Sequence, residues 1–126
     1  MDAVTAPRRP KSKAKPRPSR RATLRTELQA LTEQASAAAR MLKLLGNEYR
    51  LLILCFLIAQ GEMKVGDLVE AVGLSQSALS QHLALLREDG LVAFRRESQT
   101  LYYRVSDPRA AQILKLLKNL YCGELS

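Results

Sequence analysis

Residues 65–90 read VGDLVEAVGLSQSALSQHLALLREDG, and the order of residue types in this stretch decides the fold. Val65, Leu68, Val69 and Val72 fall at i, i+3, i+4 and i+7, one apolar face of a short helix over about Lys64 to Ala71. Gly73 ends it, because a chain leaving a helix commonly needs a left-handed residue, which glycine adopts without a Cβ clash. Ser75 is a natural N-cap, since its hydroxyl can accept from the next turn's free amides. A second helix then runs from about Gln76 to Asp89 and stops at Gly90. Leu79, Leu83 and Leu86 point to one side of it, into a core. Gln76, Ser77, Ser80 and Gln81 share the other side, near its N-terminal end.

Downstream of Gly90 the apolar period changes from helical to two. Leu91-Val92-Ala93-Phe94 and Leu101-Tyr102-Tyr103-Arg104-Val105 read as two strands joined by a charged turn, Arg95 to Thr100, so a β-hairpin with a basic tip is expected. Ser106-Asp107-Pro108 caps a last helix whose stripe is Ile113, Leu114, Leu117, Leu120 and Tyr121. Upstream, Leu24, Leu28, Leu31, Ala35, Ala38, Leu42 and Leu45 alternate spacings of four and three, a seam for another helix. Gly46-Asn47 is a stop and restart. The helix that follows, about Glu48 to Ala59, is apolar nearly all round and is expected to be the central buried one.

Short helix, glycine turn, second helix and hairpin form the winged helix-turn-helix pattern. The chain is therefore expected to be mainly α with a small β-hairpin wing and five helices. In such folds the N-terminal end of the second helix enters the major groove. Gln can pair with adenine through two hydrogen bonds, and Ser is a short donor or acceptor. Arg87 is placed to reach the DNA backbone, and Arg95 and Arg96 to touch phosphate or minor groove. The bland alternatives are a solvated helix face and a solvated turn.

The 126 residues suit one small domain with a modest core, which dimerisation would supplement. The net charge of +8 is unevenly placed. Residues 1–21 hold eight basic side chains against Asp2, and four of the five prolines; residues 22–126 hold 12 basic and 11 acidic groups. We read 1–21 as a disordered basic arm, attracted to phosphate or merely solubilising, and 22–126 as the DNA-binding and dimerisation domain. No transmembrane run and no secretory signal is seen, and with only two cysteines a reducing, cytoplasmic location is expected.

Those cysteines, Cys55 and Cys122, each lie late in an apolar helical run, 67 positions apart. A cysteine in such a run is commonly a small buried hydrophobe. As the only pair in a chain without other reactive chemistry, they also suggest control by thiol chemistry.

Residues 41–105 resemble the ArsR/SmtB family of dimeric winged helix-turn-helix repressors. The resemblance rests on Leu42-Lys43-Leu44-Leu45-Gly46-Asn47-Glu48-Tyr49-Arg50-Leu51, Val65-Gly66-Asp67-Leu68, Leu74 through Leu83, and Leu101-Tyr102-Tyr103-Arg104. It implies a homodimer held by the first and last helices, bound to double-stranded operator DNA and released by a chemical signal. The segments Arg50-Leu51-Leu52-Ile53-Leu54-Cys55 and Leu117-Lys118-Asn119-Leu120-Tyr121-Cys122 resemble the sulfide- and persulfide-responsive subgroup (SqrR/BigR-type). That likeness implies that Cys55 and Cys122 form the sensing dithiol. The inducer would be a low-molecular-weight persulfide or sulfide-derived oxidant, and a disulfide or polysulfide bridge would release the DNA.

Many family members bind metal through cysteines in the helix before the turn, but Lys64 and Gly66 stand at those positions here. The last helix has no histidine, and His82, the only histidine, reads as a packing residue, so neither a metal nor a cofactor is expected. No nucleophile–base pair, phosphate loop or Cys-x-x-Cys motif points to an enzyme. Two other functions stay open: a regulator of the same family that answers to general thiol oxidants, and a winged-helix module that coats DNA or binds protein without sensing.

Overall fold

The computed structural model describes residues 19–123. Positions 1–18, and with them most of the expected basic arm, lie outside the described residues. The element order is α1 (Arg20–Leu45), α2 (Glu48–Gln60), β1 (Met63–Lys64), α3 (Val65–Val72), α4 (Gln76–Glu88), β2 (Val92–Glu97), β3 (Thr100–Val105) and α5 (Pro108–Cys122). The chain divides into two units, 1–38 and 39–126.

In the first unit, α1 starts at Arg20, so its first two residues fall within the expected arm. Ser19 explains the start: its Oγ accepts from the Ala22 amide at 3.1 Å and its carbonyl from Thr23 at 2.9 Å. Leu24, Leu28 and Leu31, the first part of the expected seam, are all exposed.

The second unit is a winged helix-turn-helix. Each boundary has a local cause. The Asn47 side chain accepts from the amides of Tyr49 and Arg50, starting α2. Arg50 reaches back from there, its Nε donating to the Leu44 carbonyl at 2.7 Å, and so satisfies an orphan group at the end of α1. Gly73 takes φ 82, ψ 25, the left-handed cap that turns α3 into α4. Ser75 Oγ accepts from Ala78, and Asp107 Oδ1 from Arg109 at 2.8 Å behind Pro108.

The core is aliphatic apart from Tyr103 and contains no buried charged side chain among the described residues. Ile53, Leu54 and Leu57 of α2 meet Leu68 of α3, Leu79, Leu83 and Leu86 of α4, and Ala110 and Leu114 of α5. Each such leucine contributes about 2 kcal/mol by leaving water. The structure corrects one expectation: α2 is not buried all round. Leu52, Cys55 and Ile58 lie on an exposed side of it.

The sheet has three antiparallel strands, ordered β1-β3-β2, rather than the two of a bare hairpin. Met63 and Lys64 pair with Tyr103 and Tyr102. The hairpin also extends further than its charges suggest. Arg95, Arg96 and Glu97 are strand residues opposite Tyr102, Leu101 and Thr100, and the turn is only Ser98-Gln99. No described helix is long and apolar enough to cross a membrane.

Candidate DNA-reading face and thiol pair

The candidate recognition face is built by the helical period of α4. Leu79, Leu83 and Leu86 are almost wholly buried, which forces the intervening side chains outward. Gln76, Ser77, Ser80 and Gln81 are accordingly all exposed, on the first two turns of the helix. They are donors and acceptors without charge, suited to base edges.

His82 is half-buried. Its ring lies 6.3 Å from that of Tyr49 on α2, so it packs between the two helices as the sequence suggests. Desolvation, and then the positive charge of Arg50, hold its pKa below the ordinary histidine value.

The three arginines near the wing differ. Arg87 donates from Nη1 to the Tyr103 hydroxyl at 3.1 Å and lies over the Phe94 ring, 5.4 Å from its centroid. It thereby ties α4 to the wing. Arg95 lies 4.4 Å from the centroid of the Tyr102 ring and ends on Glu62. There Nη2 donates to Oε1 at 2.7 Å, and Nε lies 3.1 Å from both carboxylate oxygens. This pairing, first through its hydrogen bonds, lowers the Glu62 pKa. Arg96 is exposed, and no ion pair among the described residues includes it. The tip placement expected for Arg95 and Arg96 is therefore corrected: both are strand residues, and Arg95 is already paired. Sequence reasoning missed the pairing of Arg95 with Glu62, because a partner 33 positions away leaves no local signal.

Cys55 on α2 and Cys122 at the end of α5 are both free and exposed. The thiol of Cys55 is nonetheless partly desolvated by its surroundings, which pushes its pKa up. Negative charge on Cys122 pushes it the same way, and Lys118 pulls it down. A thiol so influenced lies within electrostatic reach of Cys122 and Lys118. The two cysteines, 67 positions apart in sequence, thus sit on helices α2 and α5 that pack against each other. Among the described residues, no group of three or more His, Cys, Asp or Glu is gathered as a metal site.

An exposed polar helix face beside a three-stranded wing defines a winged helix-turn-helix DNA-binding domain. The family model for bacterial regulatory proteins of the arsR family matches residues 47–93. The transcriptional activator HlyU of Vibrio cholerae serotype O1 is 47% identical over 95 residues, covering 75% of this chain and 87% of HlyU. The solved structure of reduced HlyU from Vibrio cholerae N16961 superposes with a TM-score of 0.71 at 47% identity, over 75% of this chain and 98% of that one. The transcriptional repressor BigR of Xylella fastidiosa gives a TM-score of 0.68 at 36% identity, over 75% of this chain and 95% of BigR. The chain belongs to the ArsR family: it is a regulator of transcription, not an enzyme.

Proposed function

We propose that this regulator binds operator DNA as a homodimer and lets go when Cys55 and Cys122 are bridged by reactive sulfur. The observation that supports the sensing half is that the only two cysteines in the chain, both free and exposed, lie on α2 and α5, helices that pack against each other. Gln76, Ser77, Ser80 and Gln81 supply the base contacts, and the basic wing supplies phosphate contacts. The exposed leucines of α1 and the exposed Leu116, Leu120 and Tyr121 of α5 supply apolar surface for a partner subunit. Among the relatives, HlyU is named an activator and BigR a repressor. Repression is the sign we assign, because release on bridging then switches the controlled genes on.

The chemistry balances without a cofactor. A thiolate attacks the outer sulfur of a small persulfide, forming a protein persulfide and expelling the small thiol. The second cysteine attacks the protein's own sulfur of that persulfide, the disulfide bond forms, and hydrogen sulfide leaves. Two thiols are oxidised and the persulfide is reduced. Each further sulfur inserted in the bridge consumes one more persulfide and releases one more small thiol. A link from α2 to α5 strains the helices that support the dimer, whose two recognition helices must stay roughly 34 Å apart to match successive major grooves.

The test is intact mass and operator footprinting on the same sample after a small persulfide, with a plain disulfide oxidant in parallel. A Cys55–Cys122 link with loss of a short, near-palindromic footprint supports the proposal. Loss of DNA from the Cys55→Ser protein on the same treatment refutes it. An identical plain disulfide and release with every oxidant assigns a general thiol-redox regulator. Binding with no site preference and a steep salt dependence assigns a DNA-coating module.

A further inference from the structure

Strand alternation places the two wing arginines on opposite faces of the sheet. Phe94 and Tyr103 pair, as do Arg96 and Leu101, and both pairs share one face. That is the face on which Arg87 of α4 meets Phe94 and Tyr103. Arg95, Tyr102 and Lys64 form a row on the other face. From there Arg95 crosses the Tyr102 ring on β3 and closes on Glu62, the residue before β1. All three strands are stapled by this one side chain. β1 runs directly into α3, so the staple also joins the wing to the first helix of the helix-turn-helix.

We propose that Arg95 is a positioning residue, clamped across Tyr102 onto Glu62, that sets the pitch of the wing so that Arg96, on the face shared with α4, meets a DNA phosphate. The proposal rests on the reading of the wing as a DNA contact. Three observations favour Arg96 over Arg95 as the contact. Arg95 must break a bidentate pair to reach phosphate, whereas Arg96 has no carboxylate partner among the described residues. Glu97 adds a second carboxylate 3.6 Å from Arg95. Arg96 alone of the two faces the recognition-helix side. An exposed ion pair contributes little to global stability, so the clamp acts through orientation, not by keeping the domain folded.

The test uses full-length reduced protein and a duplex that the wild type selects from a random-sequence pool. Affinity is read against salt, with the thermal midpoint as control. Arg96→Gln is expected to lower the salt slope by about one per protomer. Arg95→Gln and Glu62→Gln are each expected to weaken binding by up to the loss seen for Arg96→Gln and to lower the slope towards its value, with the thermal midpoint unchanged. The exchange of Glu62→Arg with Arg95→Glu is expected to restore much of the loss. If Arg95 instead touches phosphate, Glu62→Gln frees it and tightens binding, and the exchange abolishes binding; either result overturns the proposal. An unchanged affinity and slope for Arg96→Gln overturns the wing reading itself, and the clamp's role falls with it.

Discussion

Arg87 and Tyr103 join the recognition helix to the wing through a hydrogen bond of 3.1 Å, at a point where Tyr103 is only 5% exposed. The phenol is buried and the guanidinium is exposed, so the two partners respond differently to loss of the bond. Tyr103→Phe leaves no buried polar atom without a partner, because Arg87 can turn to water. The loss should therefore be about 1 kcal/mol, the net contribution of one hydrogen bond, with an unchanged denaturant m-value. Equilibrium unfolding in urea checks it. A loss of several kcal/mol would mean that Tyr103 matters through packing instead.

The two-residue turn of the wing carries its own strain. Ser98 has φ 56, the only positive φ among the described non-glycine residues. The left-handed region costs an ordinary residue about 1–2 kcal/mol, while a new glycine gives back about 0.4–1 kcal/mol through the freer unfolded chain. Relief wins by a small margin. Ser98→Gly should stabilise the domain by roughly 0.5 kcal/mol, read as a raised urea midpoint.

The fold was legible wherever one residue type has one local job. Gly73, Ser75 and Asp107 mark helix ends because a left-handed φ or an unsatisfied amide requires those side chains. The buried face of α4 followed from its period alone. Three features did not follow. β1 is two residues long and has no period to read; it exists because Tyr102 and Tyr103 offer it an edge. Arg95 and Arg96 look like turn residues by charge, yet pairing across the hairpin makes them strand. The apolar sequence of α2 suggested burial all round, but the fold leaves Leu52 and Ile58 exposed. As for the candidate site, the exposure of Gln76, Ser77, Ser80 and Gln81 on one side of α4 could be read in advance. The partners that constrain Arg87 and Arg95 could not, because they come from tertiary contact.

Lys118 should set the speed at which the proposed Cys55–Cys122 bridge closes. Its charge lowers the Cys55 pKa, against the desolvation and the Cys122 charge that raise it. Attack requires the thiolate, so closure should accelerate as pH rises into the alkaline range. Lys118→Gln removes the only lowering influence and should slow closure at pH 7 severalfold at most. High salt should shrink the difference between the two proteins, since Lys118 is exposed and its field is screened. Stopped thiol labelling of Cys55 against pH checks both. A faster Lys118→Gln protein would show that Lys118 does not act through charge.

His82 should give the fold a pH dependence of its own. Its pKa is lowered in the folded protein by desolvation and by Arg50, so folding favours the neutral ring. In the unfolded chain the ring titrates near its ordinary value of about 6.5. Between the two values the unfolded state binds more protons, and stability rises with pH. The contribution is thus fully present above about 6.5, is lost as pH falls through the lowered folded value, and levels off below it. The chain has no second histidine, and carboxylates titrate mainly below this window. Unfolding midpoints from pH 7.5 down to pH 5 should therefore fall for the wild type and stay flat for His82→Gln. A His82→Gln protein that keeps the same decline would locate the titrating group elsewhere and remove the Tyr49–His82 packing as its cause.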